Sequence, residues 1–344
     1  MGRNSKRKPI LTHLIPYRAI ENSHQGSYKD IISRVHFFEK ITNYRQIILE
    51  KDSPDPVLKA IEAKGSVHSV LIEYSHFPRT IRVIRRKHPK TFIAVRAHNI
   101  EPLQHLDNHG WRCRRPDWLA YGMLRLFLTD IYCKLYADII YPISDYEMQL
   151  YWRRLPGRAR VNWLPYYCPD YLINKSILKT NKRNIIACLP TSQKNRKSWD
   201  LVTRLVRLAE VANNSGNDLE FVLTGNLRDW GLPKSPHVKF VGMIDDLRTF
   251  LPSVRAVAVL SPLGYGFKTT ICDAIANGCF VLVHPAIHDR LPDIFHNFIV
   301  PIDTKCLQDL DIKLQNLSIT FPDASINKSL KELNHFILQQ DFWC

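Results

Sequence analysis

A chain of 344 residues is too long for one comfortable core and predicts two domains of ordinary size. Its composition, 45% hydrophobic and 23% charged, excludes disordered and fibrous classes; the longest apolar stretch, Leu119 to Ile140, is broken by Arg125, Asp130 and Lys134, which excludes a membrane span there. The net charge of +16 suits nucleic acid, an anionic membrane surface or phosphate-bearing substrates, or reflects a plain solvated basic surface, and charge alone does not choose among these.

In chain order, the basic start lacks the apolar run and cleavage site of a signal peptide, which predicts an intracellular protein. Strands are predicted at Ile10–Ile15, Arg45–Leu49, Val67–Glu73, Thr91–Ala97 and Ala137–Ile143. Helices are predicted at Tyr28–Ile41, Arg79–Lys87 and Trp118–Tyr136, and one more, containing Glu147, is capped by Ser144-Asp145. From Pro165 to Asn184 the character changes to a polar, Pro-bearing connection. A second series follows: strands at Asn184–Leu189, Leu219–Thr224, His237–Val241, Ala256–Leu260 and Phe280–His284, with helices at Trp199–Val211, Asp245–Leu251 and Thr270–Ala276. A terminal helix is predicted over Ile326–Phe342. Strand–helix alternation implies parallel sheets covered on both faces, and two such sheets leave a cleft at the carboxyl ends of their strands. The eight cysteines stand singly, with no metal or redox spacing, and are expected to be reduced.

The most informative stretch runs from Ser261 to Gly278. A strand precedes it; then come Gly264 and Gly266, which let the backbone approach an anion, and Phe267, Lys268, Thr269 and Thr270 at a helix start whose free N–H groups suit a diphosphate. Asp273, a turn further on, is placed to accept hydrogen bonds from ribose hydroxyls. Spacing alone is equally that of an ordinary Gly-rich loop with a surface lysine. Trp111, the basic run Arg112–Arg115 and the apolar segment after it fit either an anionic interface or a core helix with a solvated lead-in.

The run Asp273-Ala274-Ile275-Ala276-Asn277-Gly278 resembles the donor-binding helix of retaining GT-B glycosyltransferases, family 4 and its relatives. Further segments fall in that family's order: Arg96-Ala97-His98-Asn99-Ile100-Glu101, Ile143-Ser144-Asp145-Tyr146-Glu147, Lys197 after the first strand of the second half, and Val238 to Gly242. Two departures stand out: the family's paired glutamates are replaced by Tyr265 and Asp273. The resemblance implies two Rossmann-like, doubly wound α/β domains facing each other across a cleft, at 1–172 and 173–325, with 326–344 returning toward the first. It implies transfer of a sugar, with retention, from a nucleotide-sugar substrate to a glycan or lipid-linked acceptor. His98 would face the reacting centre, and Lys197, Gly242, Met243, Gly264, Gly266, Phe267, Lys268, Thr269, Thr270 and Asp273 would hold the donor. No metal, cofactor or nucleic acid is expected, and the site of action is the cytoplasm, with an anionic membrane surface as a candidate partner. A catalytically degenerate binding protein and a basic nucleic-acid-binding protein are the alternatives.

Overall fold

The computed structural model describes residues 10–303, apart from 22–25, 42, 64–67, 111–112, 167–183, 191–194, 217, 228–229, 232 and 234. The terminal helix expected at 326–342 and most of the connection at 165–184 lie outside the described residues.

Two six-stranded sheets, parallel throughout, account for the two series of strands. The first contains β1 (Ile10–Pro16), β2 (Asn43–Leu49), β3 (His68–Glu73), β4 (Phe92–Ala97), β5 (Ile139–Pro142) and β6 (Arg160–Val161), in the order β2-β1-β3-β4-β5-β6. Its helices are α1 (Tyr17–Glu21), α2 (Gly26–Ile41), α3 (Asp55–Glu62), α4 (Pro78–Lys87), α5 (Glu101–His109), α6 (Pro116–Tyr136) and α7 (Asp145–Leu150). The second sheet contains β7 (Ile185–Cys188), β8 (Glu220–Thr224), β9 (Val238–Gly242), β10 (Ala256–Val259), β11 (Phe280–Val283) and β12 (Ile299–Pro301), in the order β12-β11-β10-β7-β8-β9. With it go α8 (Arg196–Asn214), α9 (Leu247–Phe250), α10 (Thr269–Ala276) and α11 (Pro285–His288).

Strand alternation sends successive side chains to opposite faces, and both faces are buried. In the first sheet Leu14, Val70, Ile72, Val95 and Ile140 pack with Leu58, Ile81, Ile84 and Cys133 from α3, α4 and α6. Leu11, Leu71, Ala94 and Tyr141 face the other way onto Phe38 of α2. In the second, Ile186, Cys188, Phe221 and Leu223 pack on Val202, Leu205 and Ala209 of α8, while Ala187, Val222, Val257 and Val281 pack on Ile271 and Ile275 of α10. Burial on both faces is why these strands read as continuous apolar runs rather than as alternating ones.

Each strand order reverses direction at one point, where the crevice outside the carboxyl ends opens for a ligand. In the first sheet that point lies between β1 and β3, and in the second between β7 and β10. The loops leaving these strands carry the candidate site. Cys113, Cys133, Cys188, Cys272 and Cys279 are free thiols.

Candidate active site

The loop between β10 and α10 is shaped by its own polar groups. Gly264 has φ +82°, a left-handed conformation that favours glycine, and its N–H donates to Asp107 Oδ2 of α5 at 2.9 Å. The Lys268 ammonium turns back to donate to the Leu263 and Gly264 carbonyls, 3.0 Å each. A Cβ on Gly264 would lie 2.6 Å from Nζ of Lys268 and 3.6 Å from Nζ of Lys197, so both lysines converge on this glycine. Lys197 comes from the first turn of α8, which starts three residues earlier than its apolar pattern predicts because Asn195 caps it by accepting from Ser198 N–H. Burial, and then the neighbouring Lys197 ammonium, hold the Lys268 amine well below the usual lysine range. Burial lowers Lys197 as well. Two converging amines at a helix start, on the switch point of the sheet, form a cradle whose chemistry suits an anion.

Gly266 lies against the other half of the chain. A Cβ there would lie 2.6 Å from the His98 carbonyl oxygen and 2.4 Å from Oδ1 of Asn99. Asp273 is buried, and its Oδ2 accepts from the Lys29 ammonium of α2 at 2.6 Å. Phe267 stacks on Tyr166 (5.7 Å between centroids), so its ring belongs to the core and only its backbone serves the loop. Thr269 and Thr270 occupy the first turn of α10, half-buried. Gly242, at φ +79°, and the exposed Met243 stand at the carboxyl end of the edge strand β9, two strands from β7. Arg290 donates to the Pro262 carbonyl at 3.2 Å and lies over the rings of Tyr146 and Tyr265, 4.7 and 5.7 Å from their centroids. Beside it a cleft of about 580 Å³ opens between the two halves, lined by Tyr146, Gln149, Trp163 and Asp289 among others.

His98 is buried, with Nε2 2.7 Å from Oε2 of Glu73 and Tyr74 stacked on it at 4.2 Å, while its Nδ1 has no hydrogen-bond partner among the described residues and lies 3.7 Å from Oδ2 of Asp30. Glu73 also takes Nε2 of His13 at 2.7 Å and two hydrogen bonds from Arg34, and Arg34 reaches Asp30 at 2.6 Å. Burial alone would raise the Glu73 carboxyl, yet Arg34 and the two histidines hold it well below the usual carboxylate range. An ionised Glu73 therefore accepts from both imidazoles, and burial keeps His98 below the usual histidine value. Arg96 closes the network, reaching Asp30 at 3.2 Å. Tyr74 sits at φ +66°, a conformation uncommon for a non-glycine residue, at the carboxyl end of β3 beside this cluster. The network fixes the backbone of His98 and Asn99, the surface that Gly266 rests on.

None of Asp30, Arg34, Glu73, Asp107 or Lys29 was singled out from sequence. Lys29, Asp30, Arg34 and Glu73 are charged residues inside a helix or strand pattern, where the signal is a charge on a face that otherwise reads as apolar; Asp107 lies in α5, whose pattern carries no such signal. Glu147 was noted as part of a helix start; it is buried, and burial pushes its carboxyl up to about 8. Among the described residues no lysine or arginine is within ion-pair distance of it. The folded state thus keeps a proton that the unfolded chain releases near pH 4.5, so this group's contribution to stability falls as pH rises from about 4.5 to about 8. Glu147→Gln should raise the melting temperature at pH 8, by several degrees, and leave it nearly unchanged at pH 4.5; calorimetry at the two pH values checks the sign.

No family model and no curated protein matches the sequence. Solved structures do match in shape. A sucrose-phosphate synthase from Thermosynechococcus elongatus superposes with TM-score 0.60 at 11% identity, over 96% of this chain and 95% of that one. Anabaena HepE in complex with UDP gives 0.61 at 13% identity, over 96% and 98%. A UDP-forming α,α-trehalose-phosphate synthase from Burkholderia xenovorans gives 0.60 at 10% identity, over 96% and 98%. The fold is GT-B. Within that GT-B frame, the paired lysines, Gly264, Gly266 and Asp273 lie where the two doubly wound halves meet, and the contacts of Asp107 with Gly264 and of Lys29 with Asp273 bridge them.

Proposed function

We propose that this GT-B chain is a glycosyltransferase that takes a nucleotide-diphosphate sugar, with uridine diphosphate as the nucleotide, and passes the sugar with retention to a glycan or lipid-linked acceptor. The observation carrying the proposal is the convergence of Lys197 and Lys268 on Gly264 at the start of α10. A diphosphate there would return both amines to full charge and accept from the free N–H groups of the helix. The structural neighbours bound to UDP and to UDP-glucose favour the uridine nucleotide, and the segments resembling glycosyltransferase family 4 favour retention. In that reading the protein's task is to place the donor and stabilise charge on the departing diphosphate, while a donor phosphate oxygen takes the acceptor's proton. Lys197, Lys268 and the helix start supply the positive charge without a metal ion. Gly242 and Met243 would edge the base, and Gly264, Gly266, Phe267, Thr269 and Thr270 would present backbone to the phosphates and sugar. His98 acts here by holding the loop in place. Transfer occurs on the cytoplasmic side.

The test is calorimetric binding of UDP, GDP, ADP and UDP-glucose, followed by UDP release with a panel of sugar acceptors. Binding of UDP in preference to the other nucleotides supports the proposal; no binding of any nucleoside diphosphate overturns it. Asp273 tests the ribose contact. If its carboxylate holds the ribose, Asp273→Asn should lower UDP affinity by about tenfold, because an amide is a weaker acceptor than a carboxylate, and Asp273→Glu should be tolerated. A melting shift with unchanged UDP affinity in Asp273→Asn would favour a catalytically degenerate binding protein, the reading suggested by Tyr265 and by the Lys29 contact that already occupies this carboxylate.

A further inference from the structure

Helix α6 has 21 residues. One face turns Asp130, Cys133 and Lys134 inward, and Cys133 packs with the core of the first sheet. The other is largely exposed, with Trp118 at its start beside His105 and His109 of α5. Trp118, Tyr121, Leu124, Leu128, Tyr132 and Leu135 are 39–67% exposed. At about 100° per residue they fall within one arc of roughly 120°. Scattered exposed apolar residues need no explanation, but six in one stripe about 25 Å long do.

The exposed charge around this stripe is mostly basic. Arg114 and Arg115 lead into it and are exposed, and Arg125 lies within the arc, exposed. Arg153 and Arg154 are exposed just after α7, where Tyr151 packs edge-on against Phe127 of α6. Asp117 is the exposed carboxylate of α6, and it is tied to Arg115 at 2.7 Å. No helix among the described residues is long and apolar enough to cross a membrane.

We propose that this face of α6 lies on an anionic lipid bilayer, with its apolar stripe in the headgroup–acyl boundary and its arginines on lipid phosphates. Tryptophan and tyrosine suit that boundary, where an apolar ring meets a wet edge, and arginine reaches outward along an apolar stem. A second copy of the chain fits less well. A two-fold contact through the same stripe sets like charges against each other in either helix orientation: with the helices parallel, Arg114 and Arg115 meet their own copies, and with the helices antiparallel Arg125, near the middle of the stripe, meets its own copy.

The test is co-sedimentation of the full chain with phosphatidylcholine vesicles, with and without about 30% phosphatidylglycerol. Wild type should sediment with the anionic vesicles and stay in solution with the neutral ones. Arg125→Glu should weaken the binding about fivefold or more, and the pair Tyr121→Glu with Leu128→Glu by at least about tenfold. All three positions are exposed, so melting temperatures should match wild type; a variant that does not melt normally is replaced by Tyr121→Ser with Leu128→Ser. Wild type that ignores anionic vesicles, or sediments equally with both, overturns the proposal. So does a dimer in light scattering that the stripe substitutions dissolve, or capture of wild type by an acidic protein surface with no binding to vesicles. Because none of these readouts involves a nucleotide, they stand or fall separately from the donor site.

Discussion

Replacing Lys268 by methionine is expected to weaken UDP binding by about 10- to 100-fold, the range that follows from losing one charge-assisted contact to phosphate. Folding should be little affected. The lost hydrogen bonds to the Leu263 and Gly264 carbonyls are offset by the removal of a buried charge that faces Lys197. The pH dependence gives the same assignment a second readout. In the free protein Lys268 holds its proton less tightly than in the unfolded chain, where the ordinary value is 10.5, so its contribution to stability rises as pH climbs from the lowered value toward 10.5. A diphosphate reverses this preference, and UDP binding should take up protons at pH values between the lowered lysine values and 10.5. Calorimetry in two buffers of different ionisation enthalpy measures that uptake directly, and Lys268→Met should reduce it. UDP affinity equal to wild type in both Lys268→Met and Lys197→Met would refute the site.

The second large effect concerns folding rather than binding. Glu73→Gln keeps the shape of a fully buried side chain but removes the charge that Arg34, His13 and His98 share. Breaking a buried ion pair from one side costs about 3–5 kcal/mol. For a half of this size that corresponds to a fall in melting temperature on the order of 10 °C. Acid should act in the same direction. Glu73 is held well below 4.5, so its contribution is present above about 4.5 and is lost as pH falls through its depressed value. Thermal scans should therefore show the gap between wild type and Glu73→Gln steady from pH 7 down to about 4.5 and narrowing as the pH falls further. A Glu73→Gln melting curve that overlays wild type at pH 7 would show that the cluster does not hold the first sheet together.

The architecture could be read from the chain because its strands are buried on both faces. Runs such as Ile185–Cys188 and Phe280–Val283 have few other uses, and the intervening helices follow an apolar period. Helix α5 escaped that reading: Glu101–His109 carries its apolar positions weakly and has a proline as its second residue, so it resembles a loop until Asp107 is seen holding the Gly264 N–H. The same contrast holds at the site. Gly264, Gly266 and Lys268 are local, set by one strand–loop–helix turn, and pattern reasoning reaches them. Asp107, Lys29, Asp30 and Glu73 act across 25 to 244 positions of chain, and only tertiary contact reveals what a charge in an apolar pattern is for. His98 shows what such reasoning leaves out: a polar residue at a strand end reads as pointing at a ligand, and the carboxylate at the end of the neighbouring strand that takes its Nε2 has no local signal.

The two bridges between the halves, Asp107 to Gly264 and Lys29 to Asp273, use groups from the donor loop itself. Internal groups thus sit where the proposed donor would make its contacts: a carboxylate on a loop N–H, and an ammonium on the carboxylate proposed for the ribose. A nucleotide entering this site competes with them, and its apparent affinity is its intrinsic affinity reduced by the fraction of molecules in which those links are open. Affinity in such a protein is set partly by residues that never touch the nucleotide.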